Sequence, residues 1–397
     1  MNPFFVLIVA GEASADLHGS NLVRAMKELD PEITFRGVGG QRMEREGVKI
    51  LTPSSEMAVV GLTEVLPRIR TIFGTYLALR RILKKDRPDL LILIDYPDFN
   101  IRLSGVAKRF RVPVLYYVSP QVWAWRRKRV NKLRERVDRL AVILPFEEGF
   151  YRQRGLAAEY VGHPLLDAIP GQLDKESALR DLGLEGAFPV IGLLPGSRKD
   201  EVANLLPPMT EAAAVLSVTF PNLKCLLPRA STIRRDLIQS ILENTRAEVE
   251  VIDGDIYRIL RACDLALVAS GTATLETAMM QTPMVILYKV SPLSFWIGKR
   301  IIKVPFIGLP NLVAEEKIVP ELVQAEVTPE RLVQEALSLL EDGERRRNMI
   351  NGLKRVHAKL AGKSASRRTA QIALEMARAH RTKQKPRLAA EDPARAG

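Results

Sequence analysis

The chain has 397 residues, 47% apolar and 26% charged, with two cysteines and a formal net charge of +13. That length fits two domains, the apolar fraction excludes a mainly disordered chain, and two cysteines exclude a disulfide framework or a C-x-x-C zinc site. No apolar run reaches the ~18 residues of a membrane-spanning helix, and reduced thiols suit the cytosol.

The positive excess is uneven. Residues 1–165 carry +9, residues 166–380 carry +1 and residues 381–397 carry +3. A one-sided field attracts an anionic partner: nucleic acid, a membrane surface or an anionic substrate.

The first apolar run, FFVLIVA at 4–10, precedes A-S-A and so imitates a signal peptide. No basic residue precedes it and Glu12 interrupts the cleavage region, so it reads as a buried first strand. A helix at 15–29, a strand at 33–38, a helix at about 63–85 and a strand at 90–94 follow. Then come a helix at about 99–110, a strand at 112–118, a helix at 126–136 and a strand at 140–144. Continuous apolar strands alternating with helices predict a parallel sheet covered on both faces. The rhythm restarts after Pro164, with strands expected at 189–194, 223–227, 249–252, 265–269 and 284–287. Residues 329–380 read as helical and 381–397 as a disordered basic tail. The expected class is α/β: two Rossmann-like, doubly wound domains facing a cleft, at 1–165 and 166–345, then C-terminal helices at 346–380.

Open α/β sheets bind ligands beyond the carboxyl ends of their strands, so the loops there are the candidates. GEASAD at 11–16 is neither a dinucleotide fingerprint nor a P-loop. Glu12 and Ser14 are candidates for the cleft floor; Ser14 or Asp16 could equally cap the helix. Asp95 and Asp98 end a strand around a stiffening Pro97, as proton abstraction needs, although Asp98 could instead cap the next helix. Gln121 and Trp123 follow another strand, ahead of Trp125 and the basic run Arg126–Arg127–Lys128–Arg129. Aromatics beside bases stack on sugars or nucleobases, or sit at a lipid interface.

Gly196, Ser197 and Arg198 lie between a strand and a helix, where a helix N-terminus and an arginine favour phosphate. Ser270, Gly271 and Thr272 repeat the arrangement, and Glu276 one turn on could accept from ribose hydroxyls. Two such loops in one half point to a nucleoside-diphosphate site. Asp253-Gly254-Asp255 imitates a metal-binding D-x-D but reads as a turn, and the four histidines lack ligand spacing. No metal and no cofactor is expected. Met57, Val59, Val60 and Leu62, followed by Arg68 and Arg70, offer either core or an exposed apolar lip with a basic rim.

At these loops the sequence resembles the lipid-A-disaccharide synthase family. The matching stretches include GEASADLHG at 11–19, GVGGQRM at 37–43, VVGLTEVLPRI at 59–69 and IDYPDFN at 94–100. YYVSPQVWAWR at 116–126, VGHPLLD at 161–167, LLPGSRKDE at 193–201, ASGTATLE at 269–276 and LPNLVA at 309–314 continue it. The tail after 380 is outside it. The resemblance implies a GT-B fold and an inverting transfer in lipid A assembly. A UDP-linked 2,3-diacylglucosamine donor would meet 2,3-diacylglucosamine 1-phosphate, giving a β-1,6-linked disaccharide 1-phosphate and UDP. It implies Asp98 as base and places Arg198, Glu276 and Asn311 in UDP-binding segments. Acylated substrates imply a cytoplasmic enzyme held peripherally at the inner face of an anionic membrane, with a homodimer left open. Two other readings compete. A UDP-N-acetylglucosamine 2-epimerase shares the architecture but needs no apolar lip. A basic nucleic-acid-binding protein would not explain phosphate loops in the neutral half.

Overall fold

The computed structural model describes residues 3–57, 65–123, 129–167, 169, 173–292, 295–296, 304–362 and 364–391. The chain divides into two compact units. Unit 1 takes residues 1–167 and 362–397, and unit 2 takes residues 168–361.

In unit 1, β1 (Phe5–Ala10), β2 (Thr34–Gly39), β3 (Val48–Pro53), β4 (Leu90–Ile94), β5 (Val114–Tyr117), β6 (Arg139–Val142) and β7 (Ala158–Tyr160) form one sheet. Their order is β3-β2-β1-β4-β5-β6-β7, and neighbours pair in parallel. The period of two along β1 explains its unbroken apolar sequence. Val6, Ile8 and Ala10 enter the core on one face, and Leu7 and Val9 the core on the other. The connecting helices are α1 (Ala13–Leu29), α2 (Gln41–Arg45), α3 (Val65–Lys85), α4 (Pro97–Arg109), α5 (Arg129–Arg136) and α6 (Pro145–Arg152).

Unit 2 repeats the plan with β8 (Val190–Leu194), β9 (Lys224–Arg229), β10 (Val249–Asp253), β11 (Leu265–Ala269), β12 (Met284–Tyr288) and β13 (Glu321–Val323). Their order is β10-β9-β8-β11-β12-β13. The helices used below are α7 (Lys199–Thr219), α8 (Ile256–Ala262), α9 (Thr272–Met279), α10 (Leu309–Ala314), α11 (Pro329–Glu341) and α12 (Gly343–Leu360). Strands β3, β7 and β13 were not expected. Lys49 and Thr52 interrupt the first, and the other two are only three residues long.

The last helix, α13 (Ala365–Glu391), returns to unit 1 instead of extending a separate C-terminal helical segment. Ala370, Ile372, Ala373, Leu374 and Ala377 are buried in the core that α1 also covers. Full burial of an Ile or Leu side chain contributes about 1.5–3 kcal/mol. Asp167 accepts from the Ser366 amide (3.2 Å) and hydroxyl (2.9 Å), so the two points where the chain passes between units are tied together. Arg368 binds Glu159 at 2.5 Å, and Arg381 holds Asp89 through two nitrogens at 2.6 and 2.7 Å. The tail expected to be disordered from 381 is therefore helical to Glu391, anchored by a bidentate ion pair.

Candidate active site

In each sheet the strand order reverses between two neighbours: β1 and β4 in unit 1, β8 and β11 in unit 2. Loops after such strands diverge and leave room for a ligand. All four loops singled out for proton transfer and phosphate binding, or as the floor of the site, follow these four strands.

Beyond β4, the backbone is strained. Asp95 (φ 46°) and Tyr96 (φ 48°) are successive non-glycine residues in the left-handed region, and Val118 past β5 is a third (φ 57°). Each such residue costs on the order of 1–3 kcal/mol and persists where surrounding contacts over-determine it. Here Asn100 Nδ2 donates to the Asp95 carbonyl (2.7 Å) and the Tyr116 hydroxyl donates to the same oxygen (2.6 Å). The Tyr96 hydroxyl donates to the Met57 carbonyl at 2.9 Å. Gly11 lies under the Tyr96 ring, where a Cβ would come within 2.6 Å of it.

The two carboxylates separate clearly. Burial, reinforced by Glu12, pushes the Asp95 carboxyl up to about 6. Asp98 is exposed in the first turn of α4 and is paired with Arg129, the first residue of α5. The cap position belongs to Tyr96, so the capping role considered for Asp98 goes elsewhere. Glu12 and Ser14 are exposed at the start of α1. Asp16 caps α2, accepting from the amides of Gly40 (2.6 Å), Arg42 (3.2 Å) and Met43 (3.2 Å). His18 is kept neutral by burial, which lowers it to about 4, and His163 likewise to about 3.

In unit 2 the loop after β8 is closed on itself. Glu201 Oε2 accepts from the amides of Ser197 (3.1 Å) and Arg198 (3.2 Å), while Oε1 meets the Arg198 guanidinium at 2.6 Å. Gly196 (φ 111°) leaves that carboxylate room, since a Cβ there would collide with it. Arg198 thus stands on a carboxylate, because an N3 glutamate satisfies the first-turn amides. After β11, Ser270 Oγ donates to the Ile307 carbonyl (3.1 Å), Gly271 caps α9 and Thr272 begins it. Burial raises the Glu276 carboxyl, which accepts from the Tyr257 hydroxyl of α8 at 3.4 Å.

Three candidates are engaged within the fold. Asn311 is fully buried in α10; its amide donates to Val319 O (2.9 Å) and Glu321 (2.8 Å) and accepts from Ile318 N and Val319 N. Its polar capacity is used internally, joining α10 to β13. Trp123 is buried, with Nε1 on Glu147 at 2.9 Å and its ring against Phe146. Met57 is buried in the core and not on a lip, held there by the Tyr96 contact. Gln121 is exposed. Trp125, Arg126, Arg127, Lys128, Val59, Val60, Leu62 and the Arg68 side chain lie outside the described residues. Arg70 is exposed on α3, beside a row the sequence reading missed: Ile69, Phe73 and Leu77, at 51%, 61% and 43% exposure. Asp253 pairs with Arg229 and Asp255 with Arg258, the ion pairs of a turn. No described helix is long and apolar enough to cross a membrane.

A family model described as lipid-A-disaccharide synthetase matches residues 6–376. The chain belongs to the lipid-A-disaccharide synthase family. It is 47% identical over 374 residues to the lipid-A-disaccharide synthase of Trichlorobacter lovleyi, covering 94% of this chain and 98% of that one. Against the Geobacter metallireducens enzyme it is 47% identical over 371 residues, with 94% and 97% covered. Family membership makes it a hexosyltransferase of lipid A biosynthesis. The fold is similar to UDP-GlcNAc 2-epimerase from Neisseria meningitidis, solved bound to UDP-GlcNAc, with TM-score 0.62, 14% identity and coverage of 94% and 100%. It is also similar to the calicheamicin glycosyltransferase CalG4, with TM-score 0.61, 13% identity and coverage of 95% and 98%. The architecture is GT-B. At 14% identity the epimerase likeness concerns fold alone, and the synthase family sets the activity. The sequence reading noted Arg129 only within a basic run and not as the partner of Asp98, and it did not single out Glu201 or Tyr257; Glu201 had a signal, as a glutamate three residues past a helix cap.

Proposed function

We propose that the chain transfers the 2,3-diacylglucosamine unit of a UDP-linked donor to 2,3-diacylglucosamine 1-phosphate. The acceptor 6-hydroxyl attacks the donor's anomeric carbon, and its proton passes to the Asp98 carboxylate. The bond from that carbon to UDP breaks, UDP leaves with the electron pair, and the configuration inverts. Unit 1 takes the acceptor and unit 2 the nucleotide.

The observation that carries this reading is the placement of the candidate loops at the two switch points, with carboxylates in unit 1 and phosphate-type donors in unit 2. Arg129 orients Asp98. The donor's diphosphate exchanges with the Glu201 carboxylate for the amides of Ser197 and Arg198 and the Arg198 guanidinium. Those groups then stabilise the charge gathering on UDP. Ser270, Gly271 and Thr272 line the second phosphate loop, and Glu276 takes ribose hydroxyls.

The substrates bring acyl chains, so we place the enzyme peripherally on the inner face of the cytoplasmic membrane. Ile69, Phe73 and Leu77 would dip into the bilayer, with Arg70, Arg80, Arg81, Lys84 and Lys85 at the anionic headgroups. The deciding experiment follows UDP release from the acylated donor, with and without the lipid phosphate acceptor. Release dependent on that acceptor, with a β-1,6-linked product, supports the reading. UDP release at the same rate without acceptor, or 2-epimerisation of UDP-N-acetylglucosamine, overturns it.

A further inference from the structure

The stretch GVGGQRM at 37–43 has no role in the chemistry above, yet the structure builds a cavity around it. The cavity, about 740 Å³, opens beyond the carboxyl ends of β2 and β3, next to β1 in the sheet. Asp16, Gly40, Arg42, Arg45, Ser54 and Ser55 are among its walls. The glycines are there for close approach. A Cβ on Gly39 would sit 2.6 Å from Met43 Sδ, and one on Gly40 2.6 Å from Asp16 Oδ2.

The charges are arranged unevenly around this space. The Asp16 carboxylate is buried and engaged by the backbone amides of Gly40, just before α2, and of Arg42 and Met43 within it. Arg42 and Arg45 are one turn apart on the same side of α2 and exposed, and neither guanidinium has an ion pair or hydrogen bond among the described residues. Glu44 also borders the cavity but is offset by one and two positions from the two arginines, outside their shared face. Two unpaired guanidiniums over a cavity with serine hydroxyls suit a dianionic phosphate, which arginine grips through two parallel N–H donors.

We propose that Arg42 and Arg45 bind the phosphate of a glycosyl 1-phosphate, the acceptor. This rests on the functional reading above and adds the group by which the acceptor is recognised. The two arginines are binding and positioning residues; they hold the acceptor while Asp98 takes its proton.

The test varies acceptor concentration at saturating donor in detergent micelles. Arg42→Ala and Arg45→Ala should each raise the KM for 2,3-diacylglucosamine 1-phosphate about 10-fold or more, as loss of a charged hydrogen bond implies. The KM for the UDP-linked donor should stay unchanged, and Arg42→Lys and Arg45→Lys should recover part of the loss. An acceptor lacking the phosphate should be used equally poorly by wild type and variants. An unchanged acceptor KM, an equal rise with the phosphate-free acceptor, or a matching rise in donor KM overturns the subsite. So does a loss of binding to phosphatidylglycerol vesicles with unchanged KM, which would make the arginines headgroup contacts. If wild type fails to turn over this substrate pair, the functional reading fails. Calorimetry with glucosamine 1-phosphate then judges the subsite separately: binding by wild type that both alanine variants lose keeps it, and equal binding by all three removes it.

Discussion

Asp95 and Asp98 are three residues apart and have opposite surroundings. An exposed carboxylate steered by Arg129 can meet a hydroxyl, whereas Asp95 is largely shielded and sits in strained backbone that Asn100 and Tyr116 hold through its carbonyl. Asp98→Asn should therefore lower kcat by about 10²–10⁴-fold, the usual weight of a general base, with UDP affinity unchanged. Asp95→Asn should stay within about ten-fold of wild-type turnover; the opposite ranking of the two variants would hand the proton to Asp95. The two also differ in pH response. An acid raised from 3.8 to about 6 in the folded chain stabilises it fully below 3.8 and loses that contribution as pH rises through about 6. Asp95→Asn cannot ionise, so its melting temperature relative to wild type should climb between roughly pH 4 and 7. A flat difference would mean that Asp95 is not held protonated by burial.

Also at this scale, the proposed diphosphate site requires Glu201 to give up the donors it now holds. Arg198→Ala should weaken UDP binding by about 10-fold or more, since a charged hydrogen bond contributes about 1.5–3 kcal/mol. Glu201→Gln removes the like charge and should tighten it. Calorimetric titration with UDP reads both; weaker binding by the glutamine variant would make Glu201 a support of the loop and not a competitor.

Among elements, α3 shows where pattern reading works and where it stops. Its buried positions Thr75, Leu79 and Leu83 recur at helical spacing, and so the helix was legible. The same pattern holds a second apolar row, Ile69, Phe73 and Leu77, at intervals of four, which runs on into Arg81 and Lys85. Periodicity cannot tell a row that faces the core from one that faces water. Met57, left open between core and lip, proves to be core, since a short apolar stretch carries no sign of which neighbour covers it. The strands beside the switch points were legible because they are buried on both faces. The strained turn after β4 was not, because its left-handed residues are Asp95 and Tyr96 and no glycine announces them. Asn311 was matched by motif, but its hydrogen bonds are spent on β13 and its approaches, a short edge element that sequence did not reveal. Replacing Ile69, Phe73 and Leu77 with serine should reduce binding to anionic vesicles by about 100-fold or more, at roughly 1 kcal/mol per half-exposed side chain. Melting temperature should barely move, because the three face outward; a large drop would put them in the core.

At the scale of the whole molecule, unit 1 is made of two separated stretches of chain. Helix α13 supplies buried Ile372 and Leu374 to its core and is pinned through Arg368 to Glu159 and through Arg381 to Asp89. A chain stopped after Ala361 should lose the cooperative melting of unit 1 while unit 2 keeps its own transition. Calorimetry would show two transitions reduced to one. Persistence of both would mean that α13 only decorates a finished core.

That interleaving sets a timetable for biosynthesis. Unit 2 is one unbroken stretch, so all of its strands leave the ribosome in sequence and can close among themselves. Unit 1 must wait roughly 200 residues for its final piece, which at about 5–20 residues per second is on the order of 10–40 s. For that interval the apolar surface beside α1 has no cover. The nascent chain is then a natural client for a chaperone that shields hydrophobic helices, and the downstream half finishes folding before the upstream one.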